Sequence, residues 1–75
     1  MHTPQDIRAE VAGQVLALHV AEGAVCRGDA ELLVIEAMKM EIPVLAPGPL
    51  RLRAWHVAPG EMVQEGQLLA SVEPA

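Results

Sequence analysis

Residues 50–53, Leu-Arg-Leu-Arg, alternate apolar and charged side chains with period two, the pattern of a strand that buries one face. Residues 9–23, AEVAGQVLALHVAEG, are ambiguous by themselves, because Ala, Leu, Glu and Gln are good helix formers. An internal repeat removes the ambiguity. Residues 19–36, HVAEGAVCRGDAELLVIE, align with 56–73, HVAPGEMVQEGQLLASVE, at an offset of 37. His19/His56, Val20/Val57, Ala21/Ala58, Gly23/Gly60, Leu32/Leu69 and Glu36/Glu73 are identical, and Ala9/Ala46, Ala17/Ala54 and Val15/Leu52 extend the match. The second counterpart of the ambiguous stretch reads APGPLRLRAWHVAPG, where Pro47 and Pro49 block a helix start, so both copies are expected to be strands.

The chain is therefore one domain, 1–75, made of two copies near 7–36 and 44–73, with residues 1–5 and 74–75 expected as flexible tails. Glycines and prolines every few residues bound strands near 6–10, 13–20, 24–26, 31–37, 40–46, 50–57, 62–64 and 68–73. The fold class is all-β: a flattened antiparallel barrel or sandwich of about eight short strands with a pseudo-two-fold axis. A single copy would leave one apolar face bare, so the two copies must pack on each other. Val15, Val20, Leu32, Val34, Leu52, Val57, Leu69 and Val72 are the expected filling.

Residues 37–43, AMKMEIP, link the copies and have no counterpart in either. Propensity favours helix in EAMKME, and Glu36 and Lys39 would form a helical i, i+3 pair. Helix nucleation is too costly for an isolated segment shorter than about 12 residues. The branched residues on both sides, LLVI and IPV, read instead as strands entering and leaving a tight turn, with Lys39 at the hairpin tip.

Composition narrows the function classes. The net charge is −5, no basic run occurs and Trp55 is the only aromatic residue, which argues against a nucleic-acid reader. No apolar run approaches the roughly 20 residues of a membrane-spanning helix, and MHTPQD lacks signal-peptide character, so a cytoplasmic location is the expectation. Cys26, the only cysteine, aligns with Val63 and is expected as a small buried hydrophobe. His19 and His56 occupy matching repeat positions, and residues related in this way need not be close, so no metal site is expected. Asp29 and Glu31 read as solvated turn charges. No catalytic residue set or phosphate-cradling loop appears in the sequence, and the chain is expected to be non-catalytic.

The motif Ala37-Met38-Lys39-Met40, preceded by Glu36, closely resembles the modification site of the biotinyl domains, the biotin carboxyl carrier family. The resemblance covers nearly the whole chain: Ala9, Gly13 and Val15 fit its Ala-x-x-x-Gly-x-Val pattern, Gly60, Val63 and Gly66 its Gly-x-x-Val-x-x-Gly pattern, and Ala46-Pro47 follows the second hairpin strand. Departures are Glu10 where proline often follows the alanine, Leu50 where glycine is usual, and Gly28, which follows Gly23 by five residues rather than six. The last suggests a shifted turn or a bulge. Val15 runs to Gly23 without an inserted hairpin, so the chain is similar to the thumbless members.

The resemblance implies biotin bound covalently to Lys39, attached by a biotin protein ligase, carboxylated at a biotin carboxylase and discharged at a carboxyltransferase. Lysine in water, with a pKa of about 10.4, is free amine in roughly one molecule per few thousand at pH 7, so the ligase must supply the deprotonation. Met38 and Met40 have two readings, packing at the turn or an adaptable surface for the ligase, and Glu36 and Glu41 either keep the hairpin soluble or serve recognition. Two rivals remain. A lipoyl carrier has a similar fold, although its lysine usually follows aspartate, and an unmodified β-sandwich could serve as an interaction module.

Overall fold

The structure, a computed structural model, describes residues 6–75. The expected tail at residues 1–5 lies outside them. Eight strands follow one another: β1 Asp6–Arg8, β2 Gly13–Leu18, β3 Val25–Cys26, β4 Glu31–Ala37, β5 Met40–Leu45, β6 Leu50–Trp55, β7 Met62–Val63 and β8 Leu68–Pro74. They form two antiparallel four-stranded sheets in the orders β1-β8-β6-β3 and β5-β4-β2-β7.

The offset of 37 maps one sheet onto the other strand by strand: β1 onto β5, β2 onto β6, β3 onto β7 and β4 onto β8. Hydrogen bonds repeat in the same way. His19 N–H donates to Leu32 O at 2.9 Å, as His56 N–H does to Leu69 O at 2.9 Å. Gly23 N–H donates to Leu52 O and Gly60 N–H to Val15 O, each at 2.7 Å. These last bonds cross between the copies, so each copy's glycine turn is tied to the other copy. Even the irregularities match: one extra residue bulges β2 at Leu16 and β6 at Arg53, and another bulges β4 at Leu32 and β8 at Leu69.

Between the sheets lie Val15, Leu32, Leu33, Ile35, Leu52, Val63, Leu69 and Val72, all essentially without solvent contact. Two expected core residues differ. Val20 is only partly buried at the cluster edge, and Val34 is buried outside the main cluster. Val34 pairs with Ala17 and Pro43, on the face opposite to Leu33 and Ile35, because strand side chains alternate between faces. Cys26 is buried, as its alignment with Val63 implies.

Two expectations are corrected. Pro74 is no flexible tail: it closes β8 opposite Leu50, and Ala75 N–H reaches Pro49 O at 3.4 Å. Nor is the first copy's turn shifted at Gly28. Asp29 takes the left-handed conformation, φ 65°, at the position where the second copy has Gly66, φ 85°. Its N–H donates to Ala46 O as that of Gly66 does to Ala9 O, so the turn is kept and only its residue changes. Aspartate is one of the few side chains that visit this region readily.

Candidate functional site

Strands β4 and β5 form the longest hairpin, paired from Glu31–Leu45 to Ala37–Met40. Only Met38 and Lys39 separate the last pair, and both have positive φ, 53° and 64°. A two-residue loop with positive φ at both positions is the signature of a type I′ turn, whose twist matches the twist of the strands. Asn-Gly is the usual choice there. Met-Lys carries two β-carbons into the left-handed region, at a cost of roughly 1–2 kcal/mol per residue. Strain of this kind persists only where surrounding structure imposes it, here the long β4–β5 ladder.

The turn throws its side chains into solvent. Lys39 is exposed, with no salt bridge among the described residues. Met38 is 94% and Met40 65% exposed, which overturns the reading of the two methionines as packing at the turn. Ala37, by contrast, is buried directly beneath the turn. Of the motif residues, the structure thus brings Met38, Lys39 and Met40 together as one exposed tip above a buried alanine.

Below the tip, Glu36 pairs directly with Glu41 across the hairpin, and both carboxylates are exposed. Counting from the two-residue turn, this pair lies at a non-hydrogen-bonded position, where side chains stand closest and like charges repel. Gln14 lies on the other side of Glu36, and Met62 beyond Gln14. A row of Glu41, Glu36, Gln14 and Met62 therefore runs across the outer face next to the lysine. Met62, 65% exposed, carries no mark in the sequence that distinguishes it; only strand order places it beside the hairpin.

Gly13 sets the base of the site. A β-carbon there would collide with the Glu36 carbonyl oxygen and lie 2.7 Å from Ile35 Cγ2, so β2 approaches β4 more closely than any side chain would permit. The repeat counterpart of Gly13 is Leu50, which is buried in β6. Elsewhere the described residues offer little chemistry. His56 Nε2 lies 2.8 Å from Ser71 Oγ, His19 is exposed, and among the described residues no group of three His, Cys, Asp or Glu is placed to hold a metal. Among the described residues no helix is long and apolar enough to cross a membrane.

No family model matches the sequence. The chain is 41% identical over 69 residues to the "Biotinylated protein TB7.3 homolog" of Mycobacterium leprae, covering 91% of this chain and 96% of that protein. The chain belongs to the biotinyl-domain family. It is also 36% identical over 72 residues to Bacillus subtilis pyruvate carboxylase, where the match covers 96% of this chain but only 6% of the enzyme. Among solved structures, a single-chain, multi-domain long-chain acyl-CoA carboxylase superposes with a TM-score of 0.92 at 36% identity, over 96% of this chain and 7% of the enzyme. A biotinyl domain thus occurs both as a protein of this size and as a small part of large carboxylases.

Proposed function

We propose that Lys39 is the residue to which biotin is joined, and that the exposed Met38-Lys39-Met40 tip is what a biotin protein ligase recognises. The domain is a biotin carboxyl carrier, a non-catalytic component of a biotin-dependent carboxylase system. The observation that carries the assignment to Lys39 is its place on a strained two-residue turn, outside the core and free of salt bridges among the described residues.

The residues fit an amide-linked group. Lys39 presents a primary amine that can be approached from solvent, and the turn holds it clear of both sheets. Within the ligase, Lys39 Nζ gives up a proton and attacks the acyl carbon of biotinyl-adenylate; a second proton leaves as the amide forms and AMP departs. Held by Lys39, biotin would supply a ureido ring able to carry a carboxyl group from a biotin carboxylase to a carboxyltransferase. The chain's own part is positional. The rigid sandwich carries the arm between partner sites at high effective concentration, and the exposed tip lets the arm enter them. Glu36 and Glu41 flank the arm with negative charge, a recognition feature for a partner bearing cations.

Intact-mass measurement after co-expression with a biotin protein ligase tests the proposal. The expected result is one biotinyl increment, absent in Lys39→Arg; a lipoyl increment, or modification elsewhere, refutes it.

A further inference from the structure

Along the inner flank of β5 runs a groove of about 310 Å³, bounded by Val11, Ile35, Ile42, Val44 and Leu45, with Glu10 at its margin. A second depression of about 170 Å³ continues it past Glu10 and Leu45 towards Arg8. The first volume lies at the lower end of the ~300–1,000 Å³ typical of small-molecule sites. Its walls are aliphatic, and its polar group is a single carboxylate. Glu10 is exposed and makes no side-chain hydrogen bond or salt bridge among the described residues.

The groove begins beside the hairpin tip. Ile42 pairs with Ile35, only two pairs below Ala37–Met40. Ile42 and Val44 lie three and five positions after Lys39, or ~10 and ~16 Å along an extended strand. A lysine side chain extended by an amide and a valeryl chain puts about ten bonds between the Lys39 Cα and the ring, a reach of ~12 Å. We infer that this groove is a resting site for the ring of the biotin carried on Lys39. The inference rests on Lys39 being the attachment residue.

Shape and chemistry both favour this occupant. The sulfur-containing ring of biotin is apolar and matches Val11, Ile42 and Val44, while the ureido N–H groups are donors for which Glu10 supplies a charged acceptor. A strand from another protein is a poor occupant of the adjacent edge. Pro43, in the middle of β5, sits opposite Val34 at a non-hydrogen-bonded position, so the outward edge lacks an amide donor at its centre. The resting site would shield the ring until a partner site draws the arm away.

The test compares unmodified and fully biotinylated protein by NMR, after intact mass has established modification at Lys39. Ring protons are expected to show NOEs to the methyl groups of Val11, Ile42 and Val44, with shifts extending to Glu10. Glu10→Ala, a change at an exposed residue, is expected to raise the rate of streptavidin capture ~2–3-fold, because capture requires the undocked ring. Shift changes confined to residues 36–41 with no such NOEs, or a Glu10→Ala capture rate equal to that of the wild type, would overturn the inference. A missing mass increment would instead remove the assignment to Lys39 itself.

Discussion

The two ends of the pseudo-two-fold molecule differ far more in function than in backbone. At one end β4 and β5 are joined through Met38-Lys39; at the other their counterparts β8 and β1 pair without a connecting turn. Two substitutions follow the same division. Gly13 faces Ile35 and Glu36 just below the hairpin turn, where Leu50 fills the opposite end. Gln14 lies beside Glu36 where Arg51 lies 3.7 Å from Glu73 in a salt bridge. Glu41, moreover, adds a second carboxylate beside Glu36. The turnless end pairs its charge with Arg51 and fills its core with Leu50; the hairpin end does neither and presents an accessible tip.

Substitutions that make the two ends alike in packing should have the largest effects. Gly13→Leu, which copies Leu50, forces a side chain into the Glu36 carbonyl and should cost more than ~3 kcal/mol, a large part of the stability of so small a domain. Urea denaturation measures it, and an unchanged midpoint would mean that β2 has room to withdraw. The reciprocal truncation Leu50→Ala leaves a cavity at the other end and should cost ~2–4 kcal/mol by the same assay, with biotinylation of the folded fraction unaffected.

Smaller effects sharpen the picture. Replacing Met38-Lys39 by Asn-Gly installs the usual type I′ pair and should stabilise the domain by ~1–2 kcal/mol while abolishing modification, which thermal denaturation and intact mass together would reveal. If stability does not rise, the turn is not strained. Asp29→Gly, matching Gly66, should add ~0.5–1 kcal/mol to the unfolding free energy. Smallest of all, Gln14→Arg would give Glu36 the partner that Glu73 has. It should stabilise by ~0.2–1 kcal/mol at low salt and lose that gain at high salt, so a gain insensitive to salt would point away from charge pairing.

Much of this architecture is legible in the chain because the repeat supplies its own control. Pro47 and Pro49 rule out a helix in the second copy, and the alignment extends that exclusion to residues 9–23. All eight expected strands exist, although β1 ends at Arg8 and β6 at Trp55, where His56 N–H already turns to Leu69 O. The turn at Gly28 departs from expectation because spacing between glycines cannot reveal that Asp29 adopts their conformation. Val34 departs from it because the bulges at Leu32 and Leu16 change which side chains face inward, and a bulge has no fixed sequence mark.

The all-β class, the two-copy design and the separation of AMKM from both copies can be read from residue order, since these depend on local conformational limits and on apolar periodicity. The surroundings of Lys39 come from the folded chain. The exposure of Met38 and Met40, the opposition of Glu36 and Glu41, the arrival of Met62 through β7 and β2, and the groove between Glu10 and Val44 all depend on strand order and register. Residues distant in the chain become neighbours only when the sheets close, and no local preference records which ones will meet.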